Sequence, residues 1–385
     1  MKRQLLGALL ITLTVGSLLL VACQPTEQPP IKIGVQGPMT GDWTYEGEGF
    51  RRAVQLLADQ INEQGGLLDG RQVEIIVGDD RGDRDEARRV AEHLAAAGVV
   101  AVVGSYNSDA TEASAAVYDA AGIVQITPSS TAIRLTEKGY SRFFRICSRN
   151  DFQAQLAAEL MINTLGKERV ALIHDGSLYA QGLAEAAQHV VEELGGETVL
   201  FTAITPGQRD FTPLLEELRE HDVEAIYFTG YWMEGALLAR QMYEAGLRKI
   251  QLIGGDAMDN PEFVQYAGTE AAAGALVTTE MLARDMHYPA TEKFIADYEQ
   301  AYGEFPESNR TLGAADAFRL IANAIEQTDS ADPALLAKYL HDDLHDFPGI
   351  TGTIAGYDEN GDRLGATYVA YIVDESGNFV LYQPE

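Results

Sequence analysis

Basic residues are scarce in this 385-residue chain: 28 lysines and arginines stand against 58 aspartates and glutamates, which gives a net charge of −30. Removing Lys2 and Arg3 with the leader described below takes the net charge to −32. Such a surface repels the phosphates of nucleic acids and the headgroups of anionic lipids, so neither is an expected partner. The charge favours solubility and does not by itself indicate a ligand.

Motifs of the common enzyme classes are also missing. No phosphate-binding loop ends in Gly-Lys-Ser or Gly-Lys-Thr, and no Gly-x-Ser-x-Gly elbow carries a nucleophile. Gly47-Glu48-Gly49 lacks the third glycine of a dinucleotide-binding loop. Because no set of residues assembles a convincing reaction centre, the sequence predicts a protein that is not an enzyme and has no cofactor.

Three patterns imitate metal sites but are incomplete. His341 and His345 are spaced to share a helical face, yet no third ligand is evident, so a solvated helix end is the interpretation. Residues 358–362 start like a calcium loop without its closing glutamate and are interpreted as a turn. The acidic run 79–86 contains arginines that would keep its carboxylates ionised, which indicates a solvated helix start. No metal site is predicted.

Cysteine is limited to Cys23 and Cys147, and the position of the first is informative. A basic amino terminus precedes an apolar run over 5–21 that leads to Cys23, which is the arrangement of an export signal. It resembles a bacterial lipoprotein signal, in which the chain is cut before the cysteine and the thiol is lipidated. The alternative is a transmembrane anchor, since the run is nearly long enough to span a bilayer. We therefore expect a signal peptide over 1–22 and an extracytoplasmic, membrane-anchored lipoprotein.

In the mature chain Cys147 has no partner cysteine, so no intramolecular disulfide is expected. Cys147 follows an apolar stretch and is interpreted as a small buried hydrophobe rather than a reactive thiol. Residues 23–30 are polar and rich in proline, which predicts a linker that lifts the folded part off the membrane.

From residue 31 the chain alternates short aliphatic runs with amphipathic stretches. The first series predicts strands at 31–35, 73–77, 99–103 and 123–126 and helices at 50–64, 86–97 and 110–121. A second series predicts helices at 152–165, 182–194, 212–220 and 235–245 and strands at 170–174, 198–202, 225–228 and 251–253. Residues 368–373 and 379–382 predict an antiparallel hairpin. The expected fold class is α/β, with two doubly wound parallel-sheet lobes and a cleft between them.

Small polar residues follow two strands of the first series, where open α/β sheets bind ligands. After the third strand, Ser108 offers a hydroxyl beside the free N–H groups of a helix start, which suits a carboxylate. The alternative is simple capping by Ser108 or Asp109, because Asp109 and Glu112 have capping-box spacing. Residues 127–131 follow the fourth strand and are again rich in hydroxyls, with ordinary turn chemistry as the alternative.

Aromatic and acidic residues follow the strands of the second series. Tyr179, Tyr231 and Asp256 each come soon after a predicted strand, although each could be an ordinary surface-loop residue. Together with the hydroxyls they describe a cleft that offers donors for a carboxylate, an acid for an ammonium and rings for an apolar body. That combination suits a zwitterionic amino acid.

A series of short motifs extends in order from about residue 31 to the carboxyl terminus. They include Gly37-Pro38-Met39-Thr40-Gly41, Thr127-Pro128, Tyr179-Ala180-Gln181-Gly182, Asp210-Phe211, Gly230-Tyr231 and Ala245-Gly246-Leu247. The order resembles that of the branched-chain amino acid binding proteins of ABC transporters, which have the type I periplasmic binding fold. The resemblance implies two lobes joined by three crossovers that close over a ligand. Lobe 1 would comprise 31–147 and 281–348, and lobe 2 would comprise 148–280 and 349–385.

The resemblance also implies roles for individual residues. Ser108 and Thr131 match positions that hold the ligand carboxylate, and the Ser129 position contributes through its backbone. Asp256 matches an acidic position that holds the α-ammonium, where close relatives often have glutamate.

Aromatic contacts follow from the same resemblance. Tyr179 and Tyr231 match aromatic residues of the second lobe. The first-lobe aromatic residue is either Trp43 or Tyr45, because the loop that contains them is one residue shorter here.

We expect a lipid-anchored monomer that captures an amino acid, aliphatic like leucine, isoleucine or valine, and delivers it to an ABC permease in the membrane. One alternative is a sensor subunit that presents its ligand to a membrane receptor. Another is a binder of an amide, urea or an aromatic acid. An exported hydrolase is disfavoured, because no nucleophile constellation is present.

Overall fold

A computed structural model describes residues 28–384, and its framework is two separate β-sheets with helices packed against them. The strands are β1 (Ile31–Gly37), β2 (Val73–Asp79), β3 (Ala101–Val103), β4 (Val124–Thr127), β5 (Phe143–Arg145), β6 (Arg169–His174), β7 (Glu197–Ala203), β8 (Ala225–Phe228), β9 (Gln251–Gly254), β10 (Leu276–Thr279), β11 (Phe347–Gly349), β12 (Gly352–Ile354), β13 (Val369–Val373) and β14 (Phe379–Leu381). Neither sheet shares a strand with the other, so the α/β chain folds as two lobes.

The first sheet has the order β2-β1-β3-β4-β5, and every pair in it is parallel. Ile33 of β1 lies opposite Ile75 on one side and Ala101 on the other. The order reverses next to β1, so the carboxyl ends of β1 and β3 form a topological switch point where open α/β sheets bind ligands. The expected doubly wound parallel sheet is confirmed for this half of the chain.

The second sheet has the order β14-β13-β10-β9-β8-β6-β7 and is mixed. The strands from β6 to β10 run parallel, whereas β13 pairs antiparallel with β10 and β14 antiparallel with β13. Tyr371 lies opposite Leu381, which confirms the predicted carboxyl-terminal hairpin.

Helices connect the strands and cover the sheets. They are α1 (Thr44–Glu63), α2 (Arg84–Ala97), α3 (Ser108–Ala121), α4 (Asn150–Glu159), α5 (Leu178–Glu193), α6 (Thr212–Glu220), α7 (Trp232–Glu244), α8 (Glu262–Ala267), α9 (Thr269–Ala272), α10 (Pro289–Tyr302), α11 (Asn309–Thr328) and α12 (Pro333–Lys338). Helix α11 packs against α1 and touches β3 and β4, so it belongs structurally to the first sheet. It is buried on nearly all sides.

Between residues 254 and 367 the structure contains elements for which the sequence pattern gives no prediction. These are β10, the helices from α8 to α12 and the hairpin of β11 and β12. Several helices also begin earlier than predicted: α3 begins at Ser108, α5 at Leu178 and α7 at Trp232. The consequence is that residues expected in loops lie in the first turns of helices.

The chain passes between the two sheets three times: after β5, after β10 and between β12 and β13. The three segments contact each other, since the Ser148 N–H donates to a Glu280 carboxylate oxygen at 2.8 Å and the Tyr368 hydroxyl donates to the Ser148 carbonyl at 2.9 Å. Cys147 lies in the first segment and is buried, which confirms the prediction of a buried side chain. Burial raises the pKa of its thiol well above the usual range. The residue-level lobe boundaries stay a prediction.

The export signal over 1–22 and the lipidation site at Cys23 lie outside the described residues. Between residues 28 and 384, no helix combines the length and the apolar character needed to cross a bilayer.

Two helical glycines predict opposite effects of the same substitution. A Cβ at Gly47 in α1 would lie 2.3 Å from the Pro38 carbonyl oxygen, whereas one at Gly182 in α5 would meet only the Asn150 amide nitrogen at 3.7 Å. We expect Gly47→Ala to lower the free energy of unfolding by about 1–3 kcal/mol through steric overlap. Gly182→Ala should raise it by about 0.5–1 kcal/mol, because alanine favours the helix. Urea unfolding of both variants checks this, and equal effects would contradict the packing described at Gly47.

Candidate functional site

The predicted first-lobe residues lie at the carboxyl edge of the first sheet. Ser108 is the first residue of α3, and Ser129 and Thr131 follow β4 directly. All three are buried, and the Ser108 hydroxyl oxygen lies 3.4 Å from the Ala132 N–H. The Thr131 hydroxyl is buried and has no hydrogen-bond partner among residues 28–384. A buried hydroxyl without a partner is costly, and the Thr131 hydroxyl remains available for a further hydrogen bond.

Ser129 differs from Ser108 and Thr131 because its side chain already donates a hydrogen bond within the first lobe. Its hydroxyl donates to the Tyr106 carbonyl at 3.1 Å, and its N–H lies 3.4 Å from the Thr127 hydroxyl oxygen. The side chain therefore stabilises the loop. A contribution of Ser129 to ligand binding through its backbone stays a prediction.

Helix capping, the alternative interpretation of Ser108 and Asp109, is wrong. The residue before α3 is Asn107, which makes no side-chain cap hydrogen bond. Asp109 accepts instead from the Leu178 N–H at 2.9 Å, at the start of α5 in the second lobe. Glu112 does not close a capping box but binds basic side chains, those of Arg84, Arg134 and Lys138.

The second-lobe residues form the opposite wall of the cleft. The Tyr179 hydroxyl donates to an Asp256 carboxylate oxygen at 2.7 Å, and the Asn107 side-chain amide donates to the Tyr231 hydroxyl at 3.0 Å across the cleft. The Tyr231 ring lies 5.7 Å from the ring of Tyr179 and 6.3 Å from that of Tyr106. Burial raises the pKa of both Tyr179 and Tyr231, which keeps their hydroxyls neutral.

The structure separates the two candidates for the first-lobe aromatic residue. Trp43 precedes α1, and its ring lies 5.2 Å from that of Tyr231. Tyr45 lies on α1 and is 44 % exposed. Of the two candidates Trp43 therefore lies nearer the cleft, but the first-lobe aromatic residue that lines the cavity is Tyr106, which no sequence motif indicated.

Five of the eight predicted residues line one cavity, whose volume is about 20 Å³: Ser108, Ser129, Tyr179, Tyr231 and Asp256. Thr131, Trp43 and Tyr45 are not part of its lining. A volume of this size holds about one water molecule, so the two walls must separate to admit an amino acid. The lobes are closed over the site in this structure.

Arg310, which no sequence motif indicated, also lines this cavity. It lies in the first turn of α11, and its guanidinium donates to an Asp259 carboxylate oxygen at 2.7 Å and to the Asp256 carbonyl at 2.6 Å. It also lies 3.3 Å from an Asp256 carboxylate oxygen and 3.7 Å from one of Glu46. One buried guanidinium thus serves three buried carboxyl groups, which we call the acidic cluster: Glu46, Asp256 and Asp259.

The acidic cluster places three carboxyl groups around a single guanidinium. Burial raises the pKa of Asp259 to about 6, although the charge of Arg310 opposes that rise. Burial also raises the pKa of Glu46, against the effects of Arg310 and of a hydrogen bond from Ser308. A further cation beside these carboxyl groups would stabilise their ionised forms. The cluster is therefore suited to a ligand ammonium.

The sequence patterns that imitate metal sites have other contacts in the structure. Within the described part of the chain, no three His, Cys, Asp or Glu side chains group closely enough to hold an ion. His341 stacks on Phe144 with ring centroids 4.6 Å apart, and the Asp358 carboxylate accepts from the N–H groups of Asn360 and Asp362. Both patterns have structural roles.

Replacing Arg310 tests the acidic cluster. Arg310→Met leaves three buried carboxyl groups without their cation, so we expect the free energy of unfolding to fall by about 3–5 kcal/mol. The carboxyl groups can escape this cost by binding protons, so the loss should be smaller at about pH 5 than at about pH 8.

Arg240→Met is the matched control, because Arg240 pairs with Glu244 on an exposed helix face and its removal should cost less than about 1 kcal/mol. Urea unfolding at the two pH values measures both variants. A loss at Arg310 that does not depend on pH would contradict the charge balance described here.

Relatives of known name match almost the whole chain. It is 32% identical over 360 residues to a Leu/Ile/Val-binding protein of Rhizobium johnstonii, covering 94% of this chain and 96% of the relative. It is also 32% identical over 341 residues to a leucine-, isoleucine-, valine-, threonine- and alanine-binding protein of Pseudomonas aeruginosa, covering 89% of both chains.

Solved structures agree with these matches. The leucine-binding protein LivK of Thermotoga maritima superposes with a TM-score of 0.84 at 30% identity, covering 92% of this chain and 98% of that one. The branched-chain amino acid transporter substrate-binding protein LivJ of Streptococcus pneumoniae, solved in complex with isoleucine, has a TM-score of 0.79 at 29% identity, with 91% and 97% covered. A model of the periplasmic binding protein family matches residues 30–378, and this chain belongs to that family.

Proposed function

We propose that this protein captures an amino acid with a free α-carboxylate, a free α-ammonium and an aliphatic side chain, and delivers it to an ABC permease as a monomer. The ligand lies between the lobes, where the hydroxyl wall of the first faces Asp256 in the second. The observation that carries the proposal is one closed cavity that is lined by Ser108 and Ser129 of the first lobe and by Asp256 of the second.

The carboxylate end of the ligand would be held by the first lobe. Ser108 lies at the amino-terminal end of α3, where the helix dipole and free N–H groups favour an anion. The Thr131 hydroxyl has no competing partner in the described chain and can donate to a ligand oxygen. Neither group carries a charge, so both would bind the carboxylate through hydrogen bonds.

The ammonium end would be held by the second lobe. Asp256 lines the cavity, and its carboxylate keeps lone pairs free beyond those used by Tyr179 and Arg310. A ligand ammonium also reduces the excess negative charge of the acidic cluster. This charge argument favours an amino acid over urea, an amide or an aromatic acid, none of which brings a cation.

The side chain of the ligand would pack against aromatic rings. The cavity is lined by three tyrosines, Tyr106, Tyr179 and Tyr231, and the Trp43 ring packs next to that of Tyr231. Rings of this kind enclose apolar groups, and the leucine- and isoleucine-binding names of the relatives support an aliphatic ligand.

The setting of the protein fits this role. Members of the periplasmic binding protein family work outside the cytoplasm, and the apolar leader agrees with that location. We infer that cleavage before Cys23 and lipidation of its thiol attach the chain to a membrane through the polar linker over 23–30. We also infer a role in binding without turnover, because the cavity lining contains no nucleophile paired with a base.

Calorimetric titration tests the function directly. The chain from Gln24 onward is unfolded and refolded to remove bound ligand, and then titrated with leucine, isoleucine, valine and a panel of other amino acids, amides and aromatic acids. We expect micromolar or tighter binding to one of the first three. Binding of another compound in the panel, and of none of these three, would assign the protein a different class of ligand. The absence of any binding would contradict the proposal.

Thr131→Val separates ligand binding from stability. Because the hydroxyl has no partner in the described chain, its loss should leave the free energy of unfolding unchanged or slightly higher. Leucine should bind about 10- to 100-fold more weakly, since a hydrogen bond to a charged group is lost. Thr198→Val is the matched control: the Thr198 hydroxyl is also buried without a partner, but it lies on β7, away from the cleft. Equal affinity in the two variants would remove Thr131 from the site.

A further inference from the structure

Arg145, the last residue of β5, is completely buried next to the loop that carries Thr131. One of its terminal nitrogens donates to the Ser130 carbonyl at 3.0 Å and to the Ala132 carbonyl at 3.1 Å. The carbonyl between them, that of Thr131, accepts from the Asn150 N–H at 3.0 Å. Three successive carbonyls of the loop are thus fixed from the side of Arg145 and α4.

Fixing these carbonyls also fixes the direction of the loop's N–H groups. In a planar trans peptide the C=O of one residue and the N–H of the next point in opposite directions. Because the Ser130 carbonyl is held by Arg145, the Thr131 N–H must point away from Arg145. The Ala132 N–H likewise points away from α4, and the Ser108 hydroxyl oxygen lies 3.4 Å from it.

The counter-charge of Arg145 comes from the third crossover. Its Nε lies 2.5 Å from Oδ1 of Asp362. The other oxygen of Asp362 accepts from the Thr136 hydroxyl at 2.9 Å and from Arg149 of the first crossover at 3.2 Å. Thr136 in turn accepts from Arg145 at 2.8 Å. Asp362 therefore connects the loop that carries Thr131 with two of the three segments between the lobes.

The calcium-like motif over 358–362 shapes this connection. The Asp358 carboxylate accepts from the N–H groups of Asn360 and Asp362 at 2.8 and 2.9 Å. Gly361 has a φ of +88°, its carbonyl accepts from the Arg145 N–H at 3.1 Å, and a Cβ there would lie 2.1 Å from the Phe143 carbonyl oxygen. The acidic residues of the motif thus hold backbone N–H groups and arginines instead of a metal ion.

We propose that Arg145 and Asp362 are positioning residues for the ligand carboxylate: the pair holds the 130–132 loop in the orientation that presents its N–H and hydroxyl donors to the cleft. Neither residue lines the cavity. The pair also links that loop to the segments that must change when the lobes open. This inference rests on the proposed function, because it assumes that the ligand carries a carboxylate.

The test compares leucine with leucinamide, in which a neutral amide replaces the carboxylate. Asp362→Asn keeps the shape of the side chain but removes the charge that holds Arg145. In the wild type we expect leucine to bind much more tightly than leucinamide. In Asp362→Asn we expect that preference to fall about tenfold, with leucinamide affinity changing less than about threefold. A general loss of structure would weaken both ligands equally.

Asp316→Asn is the matched control. Asp316 is a fully buried carboxylate that accepts from the N–H groups of Ile350 and Thr351 at 2.7 and 2.8 Å, and none of its hydrogen bonds or ion pairs within residues 28–384 involves the 130–132 loop. This variant should lose stability and keep the preference for leucine. Thermal unfolding of each variant shows that it is folded at the temperature of the titration.

The outcomes separate the two proposals. A wild type that binds neither ligand overturns the proposed function. A wild type that prefers leucine, together with an Asp362→Asn variant that prefers it equally, overturns only the positioning role. If Asp362→Asn does not fold, Arg145→Lys replaces it, because lysine keeps the buried charge but cannot hold both carbonyls and Asp362 with one rigid fork. If Arg145→Lys prefers leucine as strongly as the wild type does, the positioning role is likewise overturned.

Discussion

The arrangement of the cleft depends on one buried guanidinium shared by three carboxyl groups. Arg310 and Glu46 lie on helices packed with the first sheet, whereas Asp256 and Asp259 follow a strand of the second. A charge that is buried without a partner costs several kcal/mol, so these groups are stable in a closed cleft only when they are assembled together. The acidic cluster therefore connects the two lobes across the closed cleft.

Much of this molecule follows from local pattern. The alternation of apolar runs and amphipathic stretches is enough to predict two sets of parallel strands, because strand and helix periods are properties of neighbouring residues. Parallel strands bring their carboxyl ends to one edge, so Ser108, Tyr179, Tyr231 and Asp256 could be expected in one cleft without knowledge of any contact. The structure does bring these four residues to a common cavity.

What could not be predicted depends on contacts between distant parts of the chain. Arg310 meets Asp256 across 54 residues, and Glu46 accepts from Ser308 across 262. Helix α11, which carries Arg310, is buried on nearly all sides, so it lacks the one-sided apolar stripe that marks a surface helix. The acidic run 79–86 contains one residue that local pattern explains and one that it does not. Asp83 caps the start of α2, in agreement with the predicted helix start. Asp80 is instead buried and accepts hydrogen bonds from the distant residues Ser105 and Gln36.

The composition of the acidic cluster also limits the ligand. Asp256 is the one carboxyl group of the cluster that lines the cavity. Arg310 lies against that carboxylate, so a ligand ammonium must share Asp256 with a guanidinium that is already present. Two cations beside a single carboxylate would repel each other, but Glu46 and Asp259 supply the additional negative charge that permits both. A zwitterion completes this balance, whereas an anionic aromatic acid would leave the cluster uncompensated and bring a further negative charge into a closed cleft.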